Sequence, residues 1–165
     1  MAEPWQLQLY RRSLKKKLTV DALLRHLPPV QGRLCLEVGC GTGLTSHFLR
    51  ERGGTWVSCD FERDHARSAR QLVGERVLQI GERQIPFRSG AFDLVAAINF
   101  LEHIEDDETF FAEMVRVLKP GGDFLFMAPK GETAQLVLVP VDAELRRPFS
   151  LKDLLEAVRG VVGDP

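Results

Sequence analysis

The stretch that decides the fold is CLEVGCGTG, residues 35–43. A short apolar run that contains one acid passes into a turn with a glycine at every second position, and a helix-like sequence follows. Glycine adopts φ angles that other residues avoid, and its missing side chain lets a ligand approach the backbone. The amides at the start of the next helix carry partial positive charge. The stretch therefore predicts a strand, a ligand-binding turn and a helix, in that order.

The spacing of the glycines distinguishes between cofactors. A dinucleotide site requires G-x-G-x-x-G in a strand-turn-helix unit. Counted from Gly39, the sixth position is Leu44, so the pattern fails; counted from Gly41 it is Ser46, a small residue that leaves a near match. The string E-x-G-x-G-x-G, which starts at Glu37, fits without exception. A nicotinamide dinucleotide enzyme stays open as the alternative interpretation.

The string from Glu37 resembles the first motif of the class I S-adenosylmethionine-dependent methyltransferases. Further segments are similar to later motifs of that family and follow in its order: Asp60 after the apolar run 55–59, QIPF and FDLV within 84–95, INFLEHI at 98–104, and RVLKPGG at 116–122. The resemblance spans roughly residues 34–128. It implies an α/β Rossmann-like fold, S-adenosylmethionine as cofactor, S-adenosylhomocysteine as product, and methyl transfer to a small-molecule acceptor. A non-catalytic module that binds S-adenosylmethionine is the second alternative.

The same resemblance implies which residues contact the cofactor. A carboxylate at the end of the second strand can accept hydrogen bonds from both hydroxyls of a ribose, which is the role expected of Asp60. Asn99 follows the fourth strand, where ligands collect in such sheets, and is expected near the methionine part. The full set expected to bind the cofactor is Glu37, Gly39, Cys40, Gly41, Gly43, Asp60, Phe61, Gly81, Glu82, Asn99 and Phe100.

The sequence departs from the family at Gly81. Family members usually carry an acid five residues before the proline of the LPF segment, where it accepts a hydrogen bond from the adenine amine. Counting back from Pro86 leads to Gly81, and the acid nearest to it is Glu82. We therefore expect Glu82 to take the place of the missing carboxylate.

His103 and Glu102 are the candidate catalytic residues. A phenol, amine or acid that accepts a methyl group has to lose a proton, and imidazole titrates near neutral pH. His103 is therefore the expected base, and Glu102 is expected to orient His103 or a substrate hydroxyl. The alternative is that His103 caps the following helix or packs at its start.

Composition excludes several other classes of protein. The net charge of −1 is unlike the basic excess of a dedicated nucleic-acid binder. The acidic run 105–108 lacks the separated ligands of a metal site, and acids at a helix start are favoured by the helix dipole, so we expect no metal. No apolar run approaches the length of a membrane span, and residues 1–10 are polar and interrupted by Pro4. We expect a cytoplasmic protein with reduced core cysteines and without stable membrane insertion.

The order of predicted elements indicates a doubly wound, mostly parallel sheet with helices on both faces. Residues 1–30 are expected to form an N-terminal helical segment, with one helix over 4–18 and a second that starts near Thr19 and stops at Pro28; the resemblance implies that this segment is a lid or substrate region. Residues 31–165 are expected to form the cofactor-binding domain. Its strands are expected at 33–38, 55–59, 76–80, 92–98 and 123–128, with a helix at 62–72 and a short strand at 136–139.

The C-terminal part is expected to differ from the family. A helix is predicted over 150–159, and the chain stops where the next strand would begin, so the family's final antiparallel hairpin is expected to be absent or incomplete. An uncovered fifth strand would leave an apolar edge. We expect either residues 136–139 or a second chain to cover it, and the second case gives a homodimer.

Overall fold

A computed structural model of the chain describes residues 3–81, 85–98, 107–130 and 133–141. Helices and strands alternate along most of it. The helices are α1 (Trp5–Arg12), α2 (Leu14–His26), α3 (Leu44–Glu51), α4 (Arg63–Val73) and α5 (Asp107–Val117), and the strands are β1 (Leu34–Val38), β2 (Thr55–Asp60), β3 (Val77–Gln79), β4 (Phe92–Ala97), β5 (Leu118–Lys130) and β6 (Thr133–Pro140).

The strands form one six-stranded sheet in the order β3-β2-β1-β4-β5-β6. The pairs β1–β2, β1–β4, β2–β3 and β4–β5 are parallel, and β6 runs antiparallel to β5. The strand order reverses between β1 and β4, so the carboxyl ends of these two strands flank the crevice where ligands bind in open α/β sheets. This confirms the predicted Rossmann-like, mostly parallel fold.

Alternate side chains of β1 point to opposite sides of the sheet. Leu36 joins the larger apolar cluster, which contains Phe111 of α5. Cys35 joins the other cluster, with Leu23 of α2 and Leu49 of α3. Both faces of the sheet are therefore covered, which is why its central strands are apolar on both sides.

The N-terminal segment differs from the prediction. A helix over 4–18 is wrong, because the chain breaks at Ser13 into α1 and α2. The Ser13 hydroxyl accepts a hydrogen bond from the backbone N–H of Lys16, so Ser13 is the N-cap of α2. The second helix was expected to start near Thr19, which is also wrong, because α2 begins at Leu14. Leu14 and Leu18 of α2 are exposed.

The segment LKPGG, residues 118–122, precedes the expected fifth strand at 123–128 but lies inside β5. The pairing of β4 with β5 shifts register between Phe92 and Leu94, which pair with Leu118 and Asp123. Residues 119–122 of β5 lie between these two pairs, opposite the single residue Asp93 of β4, and Gly121 has a φ of +72°. The segment is therefore a bulge within a long strand rather than its beginning.

The predicted short strand at 136–139 is confirmed and is part of β6, which pairs with β5 from Lys130↔Thr133 to Asp123↔Pro140. The edge of β5 is thus covered by the same chain. The predicted helix over 150–159 lies outside the described residues. In the ranges that the structure describes, none of the helices combines the length and apolarity needed to cross a bilayer.

Candidate functional site

The three glycines of the β1–α3 turn all have positive φ, at +76° for Gly39, +52° for Gly41 and +92° for Gly43. A Cβ added to Gly43 would lie 2.7 Å from the Cα of Ala69 in α4, so this glycine permits α3 and α4 to pack closely. A Cβ added to Gly41 would meet no atom within 4 Å. The backbone at Gly41 therefore faces open space, as a ligand-binding turn requires.

Backbone hydrogen bonds join this turn to the end of β2. The N–H groups of Gly39 and Cys40 both donate to the Cys59 carbonyl, at 2.9 and 3.0 Å. The Gly41 N–H donates to Asp60 Oδ2 at 2.7 Å. The first glycine motif and the predicted ribose carboxylate are thus parts of one rigid arrangement.

The Asp60 carboxylate is almost fully buried, with its side chain 7% exposed. Its Oδ1 accepts from the Glu62 N–H at 3.0 Å and lies 3.4 Å from His65 Nδ1. Each carboxylate oxygen has two acceptor sites. Asp60 can therefore hold the two loops together and still accept hydrogen bonds from a ligand.

Glu37 is buried and belongs to a polar network beneath the turn. Its carboxylate accepts hydrogen bonds from the hydroxyls of Thr45, Ser46 and Ser58, the last at 2.7 Å. Arg50 donates to the Ser58 hydroxyl at 2.9 Å. Burial lowers the pKa of Arg50, while the Glu37 carboxylate acts in the opposite direction. The contacts of Glu37 fix α3 on the sheet, and the residue does not line the cleft described next.

A cleft of about 370 Å³ opens at the carboxyl ends of β1 and β4. One wall is the glycine turn, and Ile98 contributes from the end of β4. The opposite wall is formed by Ser13, the N-cap of α2, and by Lys15, Lys16, Thr19 and Val20 of that helix. The cleft therefore lies where the strand order reverses and is bounded by the N-terminal helices.

Gln6 anchors α1 to the glycine turn. Its side chain is buried and donates from Nε2 to the Thr42 carbonyl at 3.3 Å and to the Ser68 hydroxyl at 3.2 Å. The rings of Tyr10 and Phe48 also pack together, tilted by 52° with their centroids 4.7 Å apart. Residues 1–30 were expected to form a lid or substrate region, but Gln6 and the individual cleft residues of α2 were not predicted. A glutamine on the apolar side of a short helix was the available signal.

The cysteines at the site are not nucleophiles. All three are free and buried, and Cys40 lines the cleft. Burial raises the pKa of the Cys40 and Cys59 thiols, with the Glu37 and Asp60 carboxylates adding to the effect, and burial raises the pKa of Cys35 to about 12. All three stay protonated near neutral pH.

Gly81 lies at the same edge of the sheet as Asp60. The N–H of Ile80, just before it, donates to the Asp60 carbonyl at 3.0 Å, and a Cβ at Gly81 would meet no atom within 4 Å. Phe61 is half-buried and packs against the larger apolar cluster. The other expected site residues, Glu82, Asn99, Phe100, Glu102 and His103, lie outside the described residues, as do Glu105 and Asp106 of the acidic run.

Comparison with known proteins identifies the family. A family described as "Methyltransferase domain" matches residues 36–126. A ubiquinone biosynthesis O-methyltransferase of Methylococcus capsulatus is 30% identical over 119 residues, which are 68% of this chain and 50% of that protein. A probable 18S rRNA (guanine-N7)-methyltransferase of Dictyostelium discoideum is 27% identical over 133 residues, 73% of this chain and 46% of that protein. The chain spans about half the length of the curated relatives it matches.

Among solved structures, a SAM-dependent methyltransferase from Thermotoga maritima superimposes with a TM-score of 0.63 at 21% identity, over 86% of this chain and 68% of that one. This likeness shows the fold. The family match covers more than half of the residues, and it places the glycine turn, Asp60 and the LKPGG bulge inside one recognised domain. The chain belongs to the class I S-adenosylmethionine-dependent methyltransferases.

Proposed function

We propose that this chain binds S-adenosylmethionine in the cleft beside the glycine turn and catalyses methyl transfer to a small-molecule acceptor. One observation carries the proposal. The Gly41 backbone faces open space in the cleft lining, while its N–H is tied to the buried carboxylate of Asp60. The residues present therefore offer both an uncovered backbone and an acceptor for a ribose diol.

In this proposal the chain's own residues bind and orient. Asp60 accepts the ribose hydroxyls, the turn 39–43 lies against the methionine part, and Glu82 accepts from the adenine amine in place of the acid missing at position 81. The bound sulfonium supplies an activated methyl group, so the protein mainly has to align donor and acceptor and exclude water. His103 takes the acceptor's proton, and Glu102 orients it.

The relatives support a small acceptor, since several are named for ubiquinone biosynthesis. The slightly acidic net charge gives no support to an RNA substrate of the kind named for the Dictyostelium relative. The family match favours S-adenosylmethionine over a nicotinamide dinucleotide.

Calorimetry with S-adenosylhomocysteine and with NAD tests the cofactor. The first should bind and the second should not. Asp60→Ala should weaken S-adenosylhomocysteine binding roughly tenfold to a hundredfold, the range expected for lost hydrogen bonds to a charged group. Asp64→Ala, which removes an exposed acid from the first turn of α4, is the matched control. An unchanged dissociation constant in Asp60→Ala would remove Asp60 from the site.

Release of S-adenosylhomocysteine in the presence of phenols, catechols and amines tests catalysis. His103→Gln should lower the turnover number and leave the affinity for S-adenosylhomocysteine unchanged, because the proposed base acts on the acceptor. Binding of the cofactor without turnover on any acceptor would favour the non-catalytic alternative.

A further inference from the structure

The first two helices expose large apolar side chains to solvent. Trp5 and Leu9 of α1 are 51% and 42% exposed, and Leu14 and Leu18 of α2 are 70% and 56% exposed. Six large apolar side chains are exposed in the described parts of the chain, and four of them are these. Such a concentration within 14 residues is unlike the single exposed leucines that are normal on surfaces.

The pattern repeats in both helices. Residues four apart lie on one side of a helix, so each helix presents one apolar pair. In α1 the buried Gln6 lies on a neighbouring side that faces the protein, and in α2 the opposite side carries the buried Val20 and Leu23. The core-facing sides are therefore already occupied by the protein's own packing, and the apolar pairs form the outer ridges.

Cations flank these ridges. Arg11, Arg12, Lys15, Lys16 and Lys17 fall within seven residues of a chain whose net charge is −1. Of the acids nearby, Glu3 is paired with Arg11 at 3.1 Å, and Asp21 lies one turn beyond Leu18 on α2. Lys15 and Lys16 line the cleft, so they are not counted here. The surface formed by Trp5, Leu9, Leu14 and Leu18 with Arg11, Arg12 and Lys17, here called the N-terminal face, is both apolar and positively charged.

We propose that the N-terminal face docks on an anionic lipid surface, with the four apolar side chains inserted at the headgroup boundary and the cations against lipid phosphates. Apolar side chains combined with lysine and arginine are the composition of helices that lie in a membrane interface. Each cation near an anionic leaflet adds to the attraction, and the attraction is screened by salt. The proposal does not depend on methyl transfer.

Other occupants fit the observations less well. A second copy that used the same face symmetrically would bring the cations of the two copies together, which costs energy. A nucleic acid would use the cations and leave the four apolar side chains without a role, because phosphate contacts dominate its binding. A lipid surface uses both features at once.

Tryptophan fluorescence offers a direct readout. The chain has two tryptophans, and Trp56 is buried with its indole N–H bonded to the Gly53 carbonyl at 3.0 Å. Trp5 therefore reports on the N-terminal face. Vesicles of mixed phosphatidylcholine and phosphatidylglycerol should shift the emission to shorter wavelength, whereas phosphatidylcholine alone should shift it less, and Trp5→Phe should abolish the shift.

Co-sedimentation with the same vesicles completes the test. The double change Leu14→Ser/Leu18→Ser should weaken binding roughly tenfold or more, and Arg12→Gln/Lys17→Gln should weaken it by about fivefold per cation. Leu78→Ser and Leu138→Ser, which remove exposed leucines elsewhere, are the matched controls and should bind as the native chain does. All of these positions are exposed, so the fold should tolerate the changes.

Three results would contradict docking on lipid. Absence of vesicle binding by the native chain would overturn the proposal. Vesicle binding that is unchanged by Leu14→Ser/Leu18→Ser and is weakened only by loss of the cations would also overturn it. That behaviour is expected of a nucleic-acid surface, and in that case Leu14→Ser/Leu18→Ser and the native chain would bind RNA equally well. A dimer in light scattering that this double change converts to a monomer would assign the face to a second copy instead.

Discussion

Two glycines of the β1–α3 turn have different roles: Gly41 leaves space for a ligand, and Gly43 permits close helix packing. Alanine at each position distinguishes the two roles. At Gly41, alanine keeps a φ of +52° at a cost of roughly 1–2 kcal/mol, and its Cβ occupies the open space beside the cleft. We expect Gly41→Ala to fold, with a small loss of stability, and to bind S-adenosylhomocysteine at least tenfold more weakly. Urea denaturation and calorimetry measure the two effects.

Gly43→Ala is the matched contrast. Its Cβ would lie 2.7 Å from the Ala69 backbone, closer than carbon atoms approach, so α3 and α4 must move apart. We expect a loss of about 2–3 kcal/mol in the free energy of unfolding, the cost typical of overpacking. If Gly41→Ala is the less stable of the two variants and binds S-adenosylhomocysteine as the native chain does, the assignment of ligand binding to Gly41 and of helix packing to Gly43 is wrong.

Gly81 allows the opposite kind of test, a gain of affinity. The position is exposed, its φ is not in the left-handed region, and an added side chain meets open space. If the adenine lies there, Gly81→Asp restores the carboxylate that the family carries and should tighten S-adenosylhomocysteine binding roughly threefold to tenfold, the value of one hydrogen bond. Gly81→Ala is the control and should bind like the native chain, whereas equal affinity of Gly81→Asp and Gly81→Ala would place the adenine elsewhere.

At the scale of elements, the order of strands and helices followed from the sequence, and their boundaries followed less well. The strand at Leu34–Val38 is a short apolar run before the glycine turn, the helix at Arg63–Val73 is amphipathic, and both were placed within a residue or so. The break at Ser13 was missed because Leu14 and Leu18 have helical spacing that suggests a core face, and nothing local shows that this face meets solvent. Serine is a favoured N-cap residue, so Ser13 was the sequence signal for a new helix start, against the spacing of the leucines.

The loop between β3 and β4 is held by α5. Arg116 forms a two-pronged pair with Glu113 at 2.6 and 2.8 Å and donates to the carbonyls of Ile85 and Phe87 at 2.9 and 2.8 Å. Glu113 in turn accepts from the Ile85 N–H at 3.0 Å. The hydrogen bond from Arg116 lowers the pKa of Glu113, so the pair is charged at neutral pH. This network explains why an arginine precedes the LKPGG segment.

Arg116→Ala should therefore release this loop. We expect a loss of about 2 kcal/mol in the free energy of unfolding, the scale of hydrogen bonds to charged groups, and faster hydrogen exchange at the Ile85 amide. Arg116→Lys keeps the charge without the planar fork and should recover only part of the loss. Native exchange at Ile85 in Arg116→Ala would show that Arg116 does not hold the loop.

At the scale of the whole molecule, the glycine turn and Asp60 were predictable because both sit next to their strands in the sequence. The parallel pairing of β1 with β2 then brings them together by geometry alone. The far wall of the cleft was not predictable at residue level. Lys16 and Thr19 reach it because the N-terminal helices dock on the sheet, with Leu23 of α2 in a core cluster. Gln6 of α1 adds a hydrogen bond to the Thr42 carbonyl, 36 residues away in the sequence.

A second network joins three strands at the other end of the sheet. The Asp93 carboxylate accepts from Lys119 Nζ at 2.7 Å and from the Leu34 N–H at 2.9 Å. Arg33 donates to the Asp93 carbonyl and pairs with Asp123 at 2.7 Å. The network therefore links the starts of β1, β4 and β5, at the opposite end of the strands from the cleft. Changes there should alter the free energy of unfolding and leave cofactor affinity unchanged.

This separation leads to a prediction about acid. Burial raises the pKa of Asp93, but the hydrogen bonds from Lys119 and Leu34 and the nearby positive charges outweigh it, so the folded pKa lies below the ordinary aspartate value. A group of this kind contributes stability that is fully present above its unfolded pKa and is lost as the pH falls through the folded pKa. Asp93→Asn should therefore be less stable at pH 7 and should lose less stability between neutral pH and about pH 3.

Urea denaturation across that pH range, on Asp93→Asn, Lys119→Gln and the double variant, measures the effect. Because Lys119 acts through Asp93, each single change should flatten the acid limb and the double change should add little to Asp93→Asn. Affinity for S-adenosylhomocysteine at pH 7 should stay native in all three, since the network lies at the far end of the strands. An acid limb as steep in Asp93→Asn as in the native chain would show that other carboxylates govern acid unfolding.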